Sequence, residues 1–311
     1  MFQLIGKTNI DFIGKRYIAF VISAILIVVG IASGIMIFVG KADLGIDFAG
    51  GVMIRGSFEK PVEVSDIRDV ISEKAGLTDA QITEIQGEEV PENSYLIRSK
   101  MPDNAPTDSL LGDRVIAALQ EGMPQNKFDI ESIDDIGPAV GETLQEKARW
   151  AILLSLLGIL AYIWIRFDFR FAVAATIATF HDVLAVLGVF FILQKEITLL
   201  VVTALLTLAG YSLTDTVVVY DRIRENLKLF RKRSSFKDTI NTSINEVLSR
   251  TIITSLTSFL VILALLIFGG GVVRDFAWAL FLGILVGTYS SMFVASPIIV
   301  EWENRAPKRL K

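Results

Sequence analysis

Six long apolar runs decide what this chain can become. They cover residues 17–39, 148–165, 171–193, 197–220, 251–268 and 276–300. Each is long enough to cross a hydrocarbon layer of about 30 Å at about 1.5 Å per helical residue. Backbone polar groups in lipid must be satisfied within the segment itself, so these runs are expected as helices. The fold class that follows is a polytopic α-helical membrane protein with six transmembrane helices. A mean hydropathy of +0.54 agrees with it. The first run is preceded by Lys7, Lys15 and Arg16, as in a secretory signal. It is about twice the usual length of a signal core and no small-residue cleavage pattern follows, so a retained helix is expected. Gly30 and Gly34 within it form a GxxxG pair, expected at a close helix contact, as are Gly283 and Gly287 in the last run.

Charge divides the chain as sharply as hydropathy does. The stretch 41–147 carries 10 Lys/Arg against 22 Asp/Glu, and the remainder is basic. Lys/Arg-rich connections stay on the cytoplasmic side. The basic connections 166–170 and 221–250 and the tail 301–311 are therefore expected inside, with both termini cytoplasmic and the stretch 41–147 outside. The domain division expected is 1–40 for the N-terminus and first helix, 41–147 for an extracytoplasmic domain, 148–300 for a five-helix block with its basic loop 221–250, and 301–311 for the tail. Topology accounts for the basic loop, including Arg231, Lys232 and Arg233, so no nucleic acid is expected as a partner; contact with the lipid bilayer is.

Only 41–147 has the composition of a water-soluble domain. Period-two apolar alternation predicts strands near 52–58, 81–87, 94–101 and 127–134, and helical spacing predicts helices near 64–75 and 107–120. The order β-α-β-β-α-β predicts a ferredoxin-like α+β domain between the first and second transmembrane helices. Its acids have the spacing of a solvated surface. The glycine clusters at its borders, with Gly50, Gly51, Gly137 and Gly141, are expected as hinge-like joints.

Residue usage narrows the chemistry. Cysteine is absent and His181 is the one histidine, which excludes thiolate chemistry and a His-cluster zinc site. No metal or other cofactor is expected. The informative residues are ionisable groups inside the apolar runs, because an Asp at a helix centre costs about 2.5–3.5 kcal/mol and marks a functional site by default. His181 and Asp182 fall in the middle of the third run, where they suit a buried ordering pair or proton passage. Asp215 stands near the inner end of the fourth among Ser212, Thr214 and Thr216, with Thr203 and Thr207 upstream. Arg250 opens the fifth run, followed by Thr254 and Ser258 one and two turns on, with Thr251 and Ser255 beside them. Helical spacing puts Arg250 at about the depth of Asp215. Proximity of the arginine would keep the carboxylate ionised, and its withdrawal would favour a proton.

Together these stretches carry a family resemblance: GIDFAGG at 45–51, GPAVGETL at 137–144, HDV at 181–183, GYSLTDTVVVYDRIREN at 210–226 and SRTIITS at 249–255. In this order they are similar to the SecF family, the smaller partners of SecD in the bacterial accessory complex of the Sec export channel, related to the resistance-nodulation-division transporters. The resemblance implies a non-enzymatic subunit of the bacterial inner membrane that works with SecD and the SecYEG channel. Proton flow would help to complete translocation of unfolded preprotein, with Asp215 and Arg250 on the proton path. Members often carry Asn where this chain has Thr214, a departure in hydrogen bonding but not in charge. Two other readings remain: an intramembrane aspartyl protease pairing Asp182 with Asp215, and a passive scaffold of the channel complex. The protease needs the two carboxylates about 3 Å apart, whereas their helix positions offset them by roughly 7 Å.

Overall fold

A computed structural model describes residues 6, 8–39, 42–85, 90–102, 111–229 and 234–307, the side chains of residues 271 and 272 excepted. The first apolar run forms α1 (Arg16–Phe38). A single turn, α2 (Ile46–Ala49), leads into β1 (Gly51–Phe58) and α3 (Val64–Val70), which continues as a π-helical turn over Ile71–Ala75. Then come β2 (Gln81–Ile85), β3 (Ser94–Lys100), α4 (Leu111–Gly122) and β4 (Phe128–Ile136). The strands form one antiparallel sheet in the order β2-β3-β1-β4. Val52, Ile54 and Phe58 alternate onto its helix-covered face and join Ile67, Ile71, Leu111, Val115 and Leu119 in one apolar core. The expected 81–87 strand and 107–120 helix extend at one end into 86–89 and 103–110, outside the described residues.

The rest is helical: α5 (Pro138–Arg166), α6 (Phe169–Ile192), α7 (Leu199–Leu229), α8 (Phe236–Phe268), α9 (Gly270–Ser290) and α10 (Ser296–Arg305). A π-helical turn, Ser291–Ala295, joins α9 to α10. It stands in the turn before Pro297, whose ring lacks an N–H and crowds the carbonyl four residues back. Among the described residues, six helices are long and apolar enough to cross a membrane: α1, α5, α6, α7, α8 and the continuous Val273–Arg305 rod.

Three helices outrun their apolar segments furthest. α5 begins ten residues before residue 148, with Pro138 at its first turn, where a missing N–H is tolerated. α7 and α8 extend through most of the stretch expected as the loop 221–250. Ser235 caps α8 by accepting from the Asp238 N–H at 3.1 Å. Arg250 therefore lies inside a helix rather than opening one. Beyond the apolar runs, polar contacts hold these extensions together: Arg222 reaches Glu246 at 2.7 Å and Asn226 donates to Ser243 at 3.0 Å. Asn241 and Asn245 on α8 clasp the backbone of Ile10 and Phe12, and Arg16 pairs with Glu301 at 2.6 Å.

Glycines set two helix contacts. A Cβ at Gly30 of α1 would lie 2.2 Å from the Leu184 carbonyl oxygen, and one at Gly188 of α6 would lie 2.9 Å from the Gly30 nitrogen. Gly34 meets nothing within 4 Å, so the contact pairs Gly30 with Gly188 across helices instead of using a GxxxG on α1. Gly283 packs on Leu208, and Gly287 on Ser212.

The sheet unit is seated on the α6–α7 link. Gly45 donates to the Ile197 carbonyl at 3.0 Å and Ile197 to that of Asp43 at 2.8 Å. The Asp47 carboxylate accepts from the Leu199 N–H at 2.9 Å, capping α7. Gln81 donates to Glu196 at 3.0 Å, and Lys100 stands 3.7 Å from the same carboxylate. Burial pushes the Glu196 carboxyl above its ordinary value of 4.5, with Lys100 opposing. A carboxyl raised on folding contributes least once ionised. Relative to Glu196→Gln, the parent chain is therefore expected to lose stability as pH rises from about 4.5 through the raised value, read as a pH series of melting temperatures in detergent. A second expectation concerns Gly51, which has φ 146° and where an added Cβ would lie 2.3 Å from the Ser99 carbonyl oxygen. Gly51→Ala should lower stability by more than about 1 kcal/mol.

Candidate functional site

The helix block holds two buried carboxylates in opposite situations. Asp182 on α6 is fully enclosed and His181 nearly so. The Nδ1 edge of His181 lies 2.8 Å from Oδ1 of Asp182. On Oδ2, Ser290 of α9 donates at 2.7 Å, and Ser212 of α7 donates as well. Asp182 thus ties α6, α7 and α9 together with both of its oxygens engaged. His181 Nε2 is buried without a hydrogen-bond partner. Its ring lies 6.3 Å from that of Tyr289, whose hydroxyl donates to the Ala19 carbonyl at 2.9 Å and so reaches α1.

Asp215 comes three residues after Ser212, one turn along the inward face of α7. It is 7% exposed, and its Oδ2 is buried with no hydrogen-bond partner. Arg250, on the neighbouring helix α8, is exposed, and no ion pair within 4 Å joins it to Asp215 among the described residues. Thr216 Oγ1 and Thr251 Oγ1, each next in sequence to one of this pair, are also buried and unpartnered. Unsatisfied polar atoms are uncommon in protein interiors and cost about 1–3 kcal/mol each. Here three of them, on Asp215, Thr216 and Thr251, fall at the level of Arg250, and a fourth, Asn226 Oδ1, lies further along α7.

The hydroxyls divide between two faces. Ser212 serves Asp182 rather than Asp215. Thr214 is exposed and donates to the Gly210 carbonyl at 3.0 Å; Thr203 and Thr207, on the same outward face, do likewise to Leu199 and Thr203 at 2.9 Å each. On α8, Thr254 is exposed and donates to the Arg250 carbonyl at 3.1 Å, while Ser258 is half-buried. Beyond Arg250, the inward hydroxyls of α8 are Thr251 and Ser255, and Ser255 meets Thr288 of α9 at 2.7 Å. At the joint between the sheet unit and the helices, Gly50 has φ 76° and a Cβ there would meet the Ile136 carbonyl at 3.2 Å; a Cβ at Gly141 would stand 2.8 Å from the Phe48 carbonyl. Gly137 precedes α5 in an extended conformation with open space around it.

A family model described as "Protein export membrane protein SecD/SecF, C-terminal" matches residues 115–305. A protein translocase subunit SecF of Thermodesulfovibrio yellowstonii is 51% identical over 96% of this chain and 97% of its own length. The chain belongs to the SecD/SecF family. A SecF subunit of Calditerrivibrio nitroreducens is 44% identical over 94% of both chains. Among solved structures, SecDF from Thermus thermophilus superposes with a TM-score of 0.78 at 37% identity, covering 96% of this chain and 39% of the SecDF chain. SecDF in a super-membrane-facing form gives 0.68, also at 37%, over 98% and 40%. The chain thus spans about two-fifths of the SecDF chains and nearly the whole length of the SecF relatives.

Within this block the aspartyl-protease pairing is not formed. A catalytic dyad shares a proton between adjacent carboxyls, whereas Asp182 is engaged by His181, Ser212 and Ser290 and makes no bond to Asp215. Sequence reasoning does not reach Ser290. The signal that could have found it is the run Thr288-Tyr289-Ser290-Ser291, four hydroxyls in succession inside an apolar helix.

Loss of one donor leaves a buried carboxylate under-satisfied at about 1–3 kcal/mol. Ser212→Ala and Ser290→Ala are each expected to lower thermal stability in detergent by that order. Thr214→Ala, on the exposed face of the same helix, is expected to change it by less than about 0.5 kcal/mol.

Proposed function

We propose that this chain is a multi-pass subunit of the bacterial inner membrane that joins SecD at the SecYEG channel and uses proton flow to promote the export of unfolded preprotein. The observation that carries the reading is Asp215: a buried carboxylate with one oxygen unpartnered, on a helix packed against the one that bears Arg250. When Arg250 closes on Asp215 the pair is neutralised by the guanidinium. When Arg250 withdraws, a proton takes its place. One proton moving down about 150–200 mV supplies about 3.5–4.6 kcal/mol, enough to shift a two-state equilibrium several hundred-fold. Asp182 and His181 belong to the same coupling machinery, one helical turn away through Ser212.

The polar residues Ser212, Thr214, Thr254 and Ser258 support the pair in two ways. Ser212 orients α7 through Asp182. Thr214 continues the outward line of Thr203, Thr207 and Gly210, a face of small residues that suits close approach by a helix of SecD. That this chain matches two-fifths of a SecDF chain supports a separate partner that supplies the remainder. The chain's similarity to protein translocase subunits SecF supports the export role.

The charge asymmetry of the sequence supports an orientation with both termini cytoplasmic and 41–147 as an extracytoplasmic domain. Its strand order β2-β3-β1-β4 supports a ferredoxin-like fold. Movement at Asp215 would reach this domain by two rigid routes. α7 runs to the Asp47 cap, and α5 runs without a break to Gly137, with Gln145 donating to the Phe48 carbonyl at 2.8 Å. Gly50, Gly51, Gly137 and Gly141 form the joint on which the domain turns.

The test is export in inverted membrane vesicles containing the full Sec complex. Asp215→Asn should remove the stimulation by a proton gradient while the subunit remains inserted and bound to SecD. Normal stimulated export by that variant would overturn the coupling role and leave a scaffold.

A further inference from the structure

The link between α5 and α6 is only two residues long, so two membrane-spanning helices turn back at Phe167-Asp168. Aromatic side chains surround this turn. Trp164 and Phe169 are more than half exposed, and Phe169 contacts both Trp164 and Trp302 edge-on with centroids 6.0 Å apart. Exposed tryptophans at the end of a spanning helix mark the level of lipid headgroups.

Beside the turn lies a cavity of about 510 Å³, lined by Arg166, Asp221, Arg224, Glu225, Lys228 and Leu229. Its acids are already engaged. Arg166 reaches both oxygens of Asp221 at 2.9 Å, and Arg222 holds Glu225 at 2.6 Å. Arg224 is fixed but not neutralised: one nitrogen donates to the Arg166 carbonyl at 3.3 Å, and the guanidinium lies 5.5 Å over the Phe167 ring. Lys228 follows one turn later on the same face of α7. Neither forms an ion pair within 4 Å with a carboxylate among the described residues. The site therefore offers two uncommitted cations.

We infer that this cavity binds the phosphate of an anionic phospholipid, with Arg224 and Lys228 as its ligands. Arg224 presents a pre-oriented planar fork to the phosphate oxygens, and Lys228 adds a mobile point charge. The apolar rim favours a lipid over a soluble anion. Leu229 is 64% exposed and Ile165 is 88% exposed, so acyl chains leaving the cavity meet apolar surface. The surplus positive charge favours a net-anionic headgroup over a zwitterionic one. The assignment is independent of proton coupling at Asp215.

Native mass spectrometry of the full chain in detergent, titrated with phosphatidylglycerol, phosphatidylcholine or inorganic phosphate, tests it. The parent chain should retain phosphatidylglycerol in preference to phosphatidylcholine, and millimolar phosphate should not displace it. The double variant Arg224→Gln/Lys228→Gln should lose about tenfold in phosphatidylglycerol affinity, the scale of about 1.4 kcal/mol. Arg224→Lys/Lys228→Arg should keep most of it, and Lys237→Gln, which removes a cation from the neighbouring helix, should keep all of it. Equal retention by the double Gln variant, or no preference between the two lipids, would overturn the inference. Displacement by phosphate would overturn it in favour of a soluble-anion site.

Discussion

Two carboxylates on adjacent helices, one satisfied and one not, organise this membrane block. Asp182 sits at the meeting point of α6, α7 and α9 with both oxygens engaged. In a low-dielectric interior such a network is strong when complete and costly when broken. It therefore fixes the rotation of α7, and with it the direction in which Asp215 points one turn further on. Asp215 lacks what Asp182 has. Its Oδ2 is buried without a partner, and Arg250 lies on a different helix. The fixed carboxylate makes the unmet need of the other one reproducible: α7 cannot simply turn Asp215 away to relieve it.

The same helix carries that constraint to the far side of the molecule. α7 begins at a cap supplied by Asp47, and the parallel bridge between Leu44 and Ile197 fastens the start of the sheet unit to the α6–α7 link. α5 provides a second strut, because its ten residues before the apolar run lie against α2. Both struts meet the sheet unit at the joint bordered by Gly50, Gly51 and Gly141. The glycines there permit close backbone approach, and Gly50 and Gly51 also supply φ values that other residues rarely adopt.

Much of this is legible from the residues. The six spanning segments follow from the length of the apolar runs, and the strands at 51–58, 94–100 and 128–136 from period-two alternation. Helix ends are less legible, because the extensions of α5, α7 and α8 are polar helices held by capping and by contacts such as Arg222 with Glu246. Hydropathy carries no record of such pairs. Asp182, Asp215, Arg250 and His181 stand out because charge inside an apolar run is expensive. Their partners do not. Ser212 lies in the Asp215 stretch yet points to Asp182, and Ser290 comes from a helix more than a hundred residues away. Which of two adjacent polar groups a serine serves depends on helix rotation, and that is set by packing at positions such as Gly283 and Gly287 against α7.

The central claim is that Asp215 gains and loses a proton as the subunit works. Difference infrared spectroscopy of the chain with SecD in oriented membranes, recorded as the proton gradient is applied and removed, measures this directly. The account predicts a carboxylic-acid C=O band that appears and disappears with the gradient in the parent chain and is missing in Asp215→Asn. The same band persisting in Asp215→Asn, or no gradient-dependent band in the parent chain, would contradict it.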